Sequence, residues 1–334
     1  MYLLYIIYNS FSTVIFIVET FKLIIVNLLL YILYIFFLFI YSKFHVLKTL
    51  FFYIIISLYK LINGGVVMDK IAIISDVHGN ITALKAVIKD IEARNIDKIF
   101  CLGDSVLKSC NSDQVIDLLR EKCDVIIKGN CDDAITRPDI PKGKFWTRDL
   151  IGEERASFIY NLPISYEFYM SGYLIRLFHA SPFGLDYVFN PMFSNKNTVY
   201  SATEIHDALE LFENTKLIGK TDKDPIPDII GYGHIHTPNI VRLRNKTIFN
   251  PGSVGMPIEM LNDDPKDKTN RFSTVASYII LEGFLDSKIL SSISFNIVRL
   301  PYDIEEEIKL LEKSTLPSKK RVIAELRSAT NYLG

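Results

Sequence analysis

Between residues 70 and 130 the sequence alternates three short apolar runs with two amphipathic helical patterns. The apolar runs are KIAIIS (70–75), DKIFCL (97–102) and DVIIK (124–128). One helical pattern begins at Ile81, and the other begins near Ser112, where Asn111 or Ser112 is a suitable N-cap. Short buried strands that alternate with helices predict an α/β fold with a parallel sheet. Sheets of this kind bind ligands beyond the carboxyl ends of their strands.

A side chain able to bind a metal ion follows each of these runs, and the pattern continues in the second half of the chain. There, a predicted hairpin over 166–178 and a predicted strand over 227–232 are each followed by histidine. The candidate metal ligands are Asp76, His78, Asp104, Asn130, His179, His234 and His236. Imidazole together with carboxylate suits Mn, Fe, Ni or Zn better than Ca. Seven ligands suit two ions that share a bridging carboxylate, an arrangement that clamps a phosphoryl group.

Six motifs, in this order, resemble those of the calcineurin-like metallophosphoesterase superfamily, and especially its small bacterial and archaeal branch. They are SDVHGN, LGD, KGNCD, FHASP, GHIH and FNPGSVG, and the resemblance extends from about Ile71 to about Tyr302. It implies a four-layer α-β-β-α sandwich with a dimetal site at the strand ends. The last motif, which contains Asn250 and Ser253, is expected to shape a loop beside that site.

The resemblance also implies how the ligands divide between two divalent ions. One ion would be held by Asp76, His78, Asp104 and His236. The other would be held by Asp104, Asn130, His179 and His234, with Asp104 bridging the two. Mn²⁺ is the expected metal, and Ni²⁺, Fe²⁺, Zn²⁺ and Mg²⁺ are the alternatives, because the same ligands accept all of them.

The residue after Asn130 departs from the family pattern. In much of the superfamily it is a histidine that assists the leaving group and is oriented by the next aspartate, but here the two residues are Cys131 and Asp132. A thiol is a much weaker proton donor than an imidazolium. Some family members with Gly-Asn-Cys-Asp favour phosphodiesters. We therefore expect a phosphodiesterase in which a metal-bound hydroxide attacks phosphorus and Asp104, Asn130, Cys131 and Asp132 form the catalytic set.

Two other functions stay open on the same fold: a phosphomonoesterase or protein phosphatase, and a non-catalytic interaction module. The formal net charge of −1 provides no global basic field, so a stable nucleic-acid complex is not expected. The expected partner is a small phosphodiester or nucleotide-like substrate. Because relatives often self-associate, a homo-oligomer is a further expectation.

Residues 1–67 form a hydrophobic leader, whereas residues 68–334 have the composition of an ordinary soluble domain. As a membrane anchor, the uncharged stretch 23–42 is long enough to span a bilayer, and the lysines after it would leave the catalytic domain in the cytoplasm. Alternatively, the leader is upstream sequence translated by mistake, and the natural start is Met68. Both interpretations predict a cytoplasmic phosphoesterase domain over 68–334, anchored to a membrane only if the leader is translated.

Overall fold

The computed structural model describes residues 28–33, 68–140, 142–187, 189, 207–259 and 271–328. The chain divides into two compact units, Met1–Val67 and Met68–Gly334. Only residues 28–33 of the first unit are described, and they are helical. Among the described residues, no helix has both the length and the apolar character needed to cross a bilayer. Most of the predicted span over 23–42 lies outside the described residues.

The described part of the second unit alternates strands and helices in the predicted order. The strands are β1 (Asp69–Ile74), β2 (Lys98–Cys101), β3 (Val125–Ile126), β4 (Ser165–Met170), β5 (Tyr173–Phe178), β6 (Ile229–Gly231), β7 (Asn239–Leu243), β8 (Lys246–Asn250), β9 (Ile258–Glu259), β10 (Arg271–Phe272), β11 (Val275–Gly283) and β12 (Ser294–Pro301). The α-helices are α1 (Ile81–Ala93), α2 (Ser112–Lys122), α3 (Asn130–Ala134), α4 (Phe145–Tyr160), α5 (Ile304–Lys313) and α6 (Lys319–Ser328).

Ten of the twelve described strands form two five-stranded sheets, with the orders β12-β11-β1-β2-β3 and β4-β5-β6-β8-β7. In the first sheet β1, β2 and β3 are parallel, and in the second sheet β5, β6 and β8 are parallel. The remaining strands of each sheet pair in antiparallel fashion. Each sheet therefore has three parallel strands whose carboxyl ends meet at one edge, which confirms the predicted α/β architecture.

Apolar side chains of the two sheets pack against each other and form the central core. Ile73 and Phe100 of the first sheet belong to one buried cluster with Leu177 and Phe249 of the second. Helices α1, α2 and α5 cover the outer face of the first sheet through a separate cluster that includes Leu84. The 3-10 helix over Ala208–Phe212 packs on the outer face of the second sheet. Since helical elements flank two stacked sheets, the four-layer sandwich expected from the sequence is confirmed.

The sequence pattern also predicts helices over about Glu153–Leu162 and Thr203–Phe212, and two helices in the C-terminal tail. In the structure Gly152, with φ of 70°, divides α4 into two helical segments, and the first of these predicted helices corresponds to the second segment. The helix predicted over Thr203–Phe212 is a 3-10 helix over Ala208–Phe212 in the described part, and residues 203–206 lie outside that part. The two tail helices are present as α5 and α6.

Candidate metal centre

The carboxyl ends of the parallel strands bring all seven predicted metal ligands to one edge of the sandwich. Asp76 and His78 follow β1, and Asp104 follows β2. Asn130 follows β3, His179 follows β5, and His234 and His236 follow β6. The loops that follow β1 and β2 continue to hydrogen-bond to each other beyond the ends of the strands. The amides of Asp76 and His78 donate to Gly103 O and Asp104 O, both at 3.0 Å. The sequence-predicted ligands are thus assembled by strand pairing.

One group of donor atoms consists of Asp76 Oδ1 and the Nε2 atoms of His78 and His236. The two Nε2 atoms lie 3.0 Å apart, and His236 Nε2 lies 3.2 Å from Asp76 Oδ1. The Nδ1 atom of His78 bonds to Val106 O at 3.2 Å, and that of His236 bonds to Met256 O at 2.7 Å. Because a carbonyl oxygen only accepts hydrogen bonds, each Nδ1 carries the proton. In the neutral rings both Nε2 lone pairs therefore face each other.

A second group of donor atoms surrounds Asn130. Its Oδ1 lies 3.0 Å from both His179 Nε2 and His234 Nδ1. The Nδ1 atom of His179 bonds to Leu102 O at 2.7 Å, which leaves its Nε2 directed at the site. Asp104 lies between the two groups, with Oδ2 3.7 Å from His78 Nε2 and Oδ1 3.4 Å from His179 Nε2. Its two oxygens therefore face different groups.

The arrangement of donor atoms fits two cations. Asp76 Oδ1 is buried and has no hydrogen-bond partner among the described residues. A buried carboxylate oxygen next to two inward-facing imidazole nitrogens is costly unless a cation binds between them. Three buried ligand sets have donor atoms within 4.8 Å of one another: Asp76 with His78 and His236, Asp76 with Asp104 and His179, and His78 with Asp104 and Cys131. These sets overlap, as expected for neighbouring ions that share ligands.

Strained backbone holds these side chains in place. Five of the seven candidate ligands have φ between 51° and 66°, namely Asp76, His78, Asp104, His234 and His236. Residues other than glycine rarely adopt this left-handed region, and they do so preferentially at functional sites. Close approach of the loops also requires glycine. A Cβ atom at Gly129 would lie 2.1 Å from Asp104 Oδ1, and one at Gly233 would lie 2.1 Å from Ser75 Oγ.

The electrostatics of the centre favour metal binding. Burial disfavours the charged form of His179, but Asp104 outweighs this effect and raises the pKa of His179 to about 10. Burial also disfavours ionisation of Asp104, but His179 above all holds its pKa well below the usual range. Mainly through burial, the pKa values of His78 and His234 fall to about 4. Near neutral pH Asp104 is thus ionised, His78 and His234 are neutral, and His179 carries a proton that a metal ion would replace.

Asp132 supports Asp104 through the backbone. Its Oδ2 accepts hydrogen bonds from Asp104 N at 2.8 Å and Gly129 N at 3.0 Å, and its Oδ1 accepts one from Ser105 N at 3.0 Å. The side chain is fully buried. The Asp132 side chain therefore links the loops that follow β2 and β3, and it fixes the backbone position of Asp104.

The loop of the NPGSVG motif supports Asp76 and His236, as expected from the sequence. Ser253 Oγ donates to Asp76 O at 2.7 Å and accepts from Met256 N at 2.8 Å, while Met256 O receives the Nδ1 proton of His236. Ser75 was not among the predicted site residues, yet its Oγ donates to Asp76 Oδ2 at 2.6 Å. The available signal was its place directly before Asp76, as the first residue of the SDVHGN motif.

Cys131 lies where the resemblance would place the leaving-group histidine. It is buried at the start of α3, and its amide donates to Asp104 Oδ1 at 2.8 Å. Its Sγ lies within 4.8 Å of a ligand atom of His78 and of Asp104. Burial, followed by the charge of Asp104, raises the pKa of the thiol well above its ordinary value. Cys131 is therefore a neutral thiol beside the candidate metal centre.

Comparisons with known proteins agree with this geometry. The profile of the calcineurin-like phosphoesterase superfamily domain matches residues 70–266, and the chain belongs to this superfamily. The chain is 29% identical over 274 residues to the uncharacterized protein MJ0912 of Methanocaldococcus jannaschii, an alignment covering 75% of this chain and 95% of that relative. Family membership and the clustered Asp and His ligands make the protein a metal-dependent phosphoesterase that uses divalent ions.

Solved structures share the fold. A metallophosphoesterase from Sphaerobacter thermophilus superposes with a TM-score of 0.52 at 21% identity, covering 78% of this chain and 99% of that one. The hypothetical protein PH1004 from Pyrococcus horikoshii OT3 superposes with a TM-score of 0.53 at 16% identity, covering 78% and 98% of the two chains. At these identities the similarity concerns the fold.

Proposed function

We propose that the protein is a phosphodiesterase that acts with two Mn²⁺ ions on small, nucleotide-like diesters. The observation that carries the proposal is the neutral, buried thiol of Cys131 beside Asp104. An imidazolium at this position would add a positive charge next to the phosphoryl group and would protonate the leaving oxygen. A neutral thiol provides neither, so general acid assistance, typically worth about 10²–10⁴-fold, is lost.

The missing positive charge affects monoesters more than diesters. Near neutral pH a phosphomonoester is largely a dianion, because the second pKa of a phosphate monoester is about 6. A diester carries a single negative charge. A site without the imidazolium therefore neutralises the monoester less completely. Diesters and esters with good leaving groups are the substrates least affected by the change to Cys131.

The candidate ligands form two sets, each of which would hold one metal ion. One ion would be held by Asp76, His78, His236 and Asp104, and the other by Asp104, Asn130, His179 and His234. When bound, such a pair of ions activates water as a nucleophile and neutralises charge on the phosphoryl oxygens. Asp132 keeps Asp104 in the orientation in which its two oxygens face different ligand groups. The mixed nitrogen and oxygen ligands suit Mn²⁺, with Ni²⁺, Fe²⁺, Zn²⁺ and Mg²⁺ as alternatives.

The proposal is tested by comparing two chromogenic esters that share a leaving group. The full chain is loaded with Mn²⁺, and kcat/KM is measured for bis-p-nitrophenyl phosphate and for p-nitrophenyl phosphate, with Asp104→Ala as the blank. We expect cleavage of the diester that disappears in the blank, and little cleavage of the monoester. A preference for the monoester would indicate a phosphomonoesterase. Bound metal without cleavage of either ester would point to an interaction module.

Localisation and assembly are part of the proposal. The phosphoesterase domain is proposed to act in the cytoplasm on a small-molecule substrate, without forming a stable nucleic-acid complex, and to self-associate as a homo-oligomer. Membrane attachment depends on whether residues 1–67 are translated. The chain has 37 basic and 38 acidic residues, so its positive and negative charges nearly cancel. This balance supports binding of an anionic substrate by a local site and not by the net charge of the whole protein.

A further inference from the structure

A cavity of about 440 Å³ opens directly beside the candidate metal centre. Its inner end is lined by His78, Asn130 and Cys131. Its outer wall comes from α6, which contributes Arg321, Val322, Glu325 and Leu326. The volume lies within the range of protein sites that enclose small-molecule ligands. The space is therefore large enough for a substantial part of a substrate beyond the reacting phosphoryl group.

The α6 wall is fixed to the rest of the domain. Val322 and Leu326 pack against a buried cluster that includes Leu311 and Leu316. The Nζ of Lys319 donates to Ser314 O at 2.6 Å and to Glu312 O at 2.9 Å, which joins the start of α6 to the end of α5. The wall is thus a packed part of the structure.

Three basic residues from separate parts of the chain line this cavity: Lys108, Lys144 and Arg321. Lys108 and the preceding Leu107 have φ of 68° and 69°, so two consecutive residues adopt the strained left-handed conformation. Leu107 is buried and its amide donates to Ser112 Oγ at 3.2 Å, which fixes this segment. Strain of this kind persists where the surrounding structure imposes it, and it is concentrated at ligand sites.

Two of these basic side chains lack an acidic partner among the described residues. Within the described part of the chain, neither Lys108 nor Lys144 forms an ion pair, whereas Arg321 Nε lies 3.3 Å from Glu325 Oε1. Cations without partners around a concave site attract anionic ligands. The cavity also has an apolar side, formed by Leu107, Met256, Pro257, Val322 and Leu326. Its chemistry matches a ligand with both an anionic group and an apolar or aromatic group.

We propose that this cavity binds a second phosphate and the adjoining nucleoside of the substrate, through Lys108, Lys144 and Arg321. The preferred substrate is then a phosphodiester whose non-leaving arm carries a further phosphate, as in a phosphorylated linear nucleotide diester. This inference rests on the proposed phosphodiesterase function. The metal centre holds the reacting phosphoryl group, and the cavity selects the arm attached to it.

The kinetic test uses two diesters that differ by one phosphate. The p-nitrophenyl ester of thymidine 5′-phosphate and the same ester bearing a 3′-phosphate are compared with the full, Mn²⁺-loaded chain. We expect kcat/KM to be at least tenfold higher for the 3′-phosphorylated ester, mainly through KM. In Lys144→Gln and Arg321→Gln the ratio between the two esters should fall toward one. Lys320→Gln is the matched control, because Lys320 is exposed on α6 and does not line the cavity.

A binding measurement separates this inference from the proposed function. Calorimetry compares thymidine 3′,5′-bisphosphate with thymidine 5′-phosphate on wild type, Lys144→Gln and Arg321→Gln, with melting curves to verify folding. If the diesters are not cleaved, the proposed function fails, but tighter binding of the bisphosphate that is lost in both variants still supports the cavity site. Equal affinities for the two ligands, or a preference that both variants retain, would overturn the inference.

Discussion

The Nε2 atoms of His78 and His236 lie 3.0 Å apart, while the Nδ1 atom of each ring is bonded to a backbone carbonyl. The two rings therefore present lone pairs to each other next to Asp76 Oδ1, which has no hydrogen-bond partner among the described residues. A cation bound between them would remove the repulsion between these lone pairs. The hydrogen bonds to the backbone fix both rings in the tautomer with the proton on Nδ1, which leaves Nε2 free to bind a metal ion.

Removing His236 should therefore empty one ion site and spare the other. In His236→Ala the ligand group around Asn130 and His179 is unchanged, so we expect about one Mn²⁺ per chain instead of two. The rate of diester cleavage should fall by at least the roughly 10- to 100-fold that loss of a supporting residue causes. Metal analysis by inductively coupled plasma mass spectrometry gives the stoichiometry. Two tightly bound ions in the variant would contradict the assignment.

Asp132 should matter for both stability and metal affinity. In wild type, three backbone amides donate to the carboxylate oxygens of Asp132. In Asp132→Asn at least one of these amides would face an NH₂ group, which should lower the free energy of unfolding by about 1–3 kcal/mol. Mn²⁺ affinity should fall about 10- to 100-fold as Asp104 loses its support. Urea unfolding of the metal-free protein and a Mn²⁺ titration measure the two effects. Asp133→Asn is the control, because Asp133 pairs with Arg137 and accepts no hydrogen bond from the strand ends.

Restoring histidine at position 131 should shift the specificity toward monoesters. In Cys131→His an imidazole would stand beside Asp104, and the adjoining cavity has room for the larger ring. We expect the monoester-to-diester ratio of kcat/KM to rise at least tenfold, because general acid catalysis is typically worth about 10²–10⁴-fold. Cys131→Ser, which adds no imidazole, should leave the ratio near that of wild type. An unchanged ratio in the histidine variant would argue against the role assigned to this position.

Glu307 should make the stability of the fold depend on pH. It is fully buried on α5 and accepts hydrogen bonds from Ser109 Oγ at 2.5 Å and Thr82 Oγ1 at 2.7 Å. Burial raises its pKa above the ordinary value of 4.5. As pH rises above 4.5, the unfolded chain therefore loses its proton before the folded chain does, and the folded state loses stability.

Glu307→Gln removes this titration. The free energy of unfolding of the variant, measured relative to wild type, should therefore increase as pH rises from 4.5. The difference should level off above the pKa that Glu307 has in folded wild type. Urea unfolding at a series of pH values measures the difference. Glu306→Gln is the matched control, because Glu306 is exposed one position earlier on the same helix. If the difference in unfolding free energy between Glu307→Gln and wild type did not change with pH, it would contradict a raised pKa of Glu307 in the folded protein.

The sequence was sufficient to predict where the candidate ligands gather, because their positions depend on local signals. A strand ends within four residues before each of Asp76, Asp104, Asn130, His179 and His234, and parallel pairing brings these strand ends together. The predicted order of strands and the two C-terminal helices were confirmed for the same reason.

The cavity wall could not be predicted in this way. Arg321 and Val322 line the cavity beside the metal centre because α5 and α6 pack in a cluster that also contains Cys110 and Trp146, and this packing joins segments far apart in the sequence. Glu307 is the last of three consecutive glutamates, and the phase of the helix turns it inward while Glu305 and Glu306 stay exposed. Whether Met1 or Met68 begins the natural protein depends on translation, and the two interpretations of the leader stay as predictions.

The most direct test of the account is a crystal structure of the Mn²⁺-loaded protein with an anomalous difference map. We predict two anomalous peaks on opposite sides of Asp104. One should be bound by Asp76, His78 and His236, and the other by Asn130, His179 and His234. A single peak, or two peaks that do not share Asp104, would contradict the proposed dimetal centre.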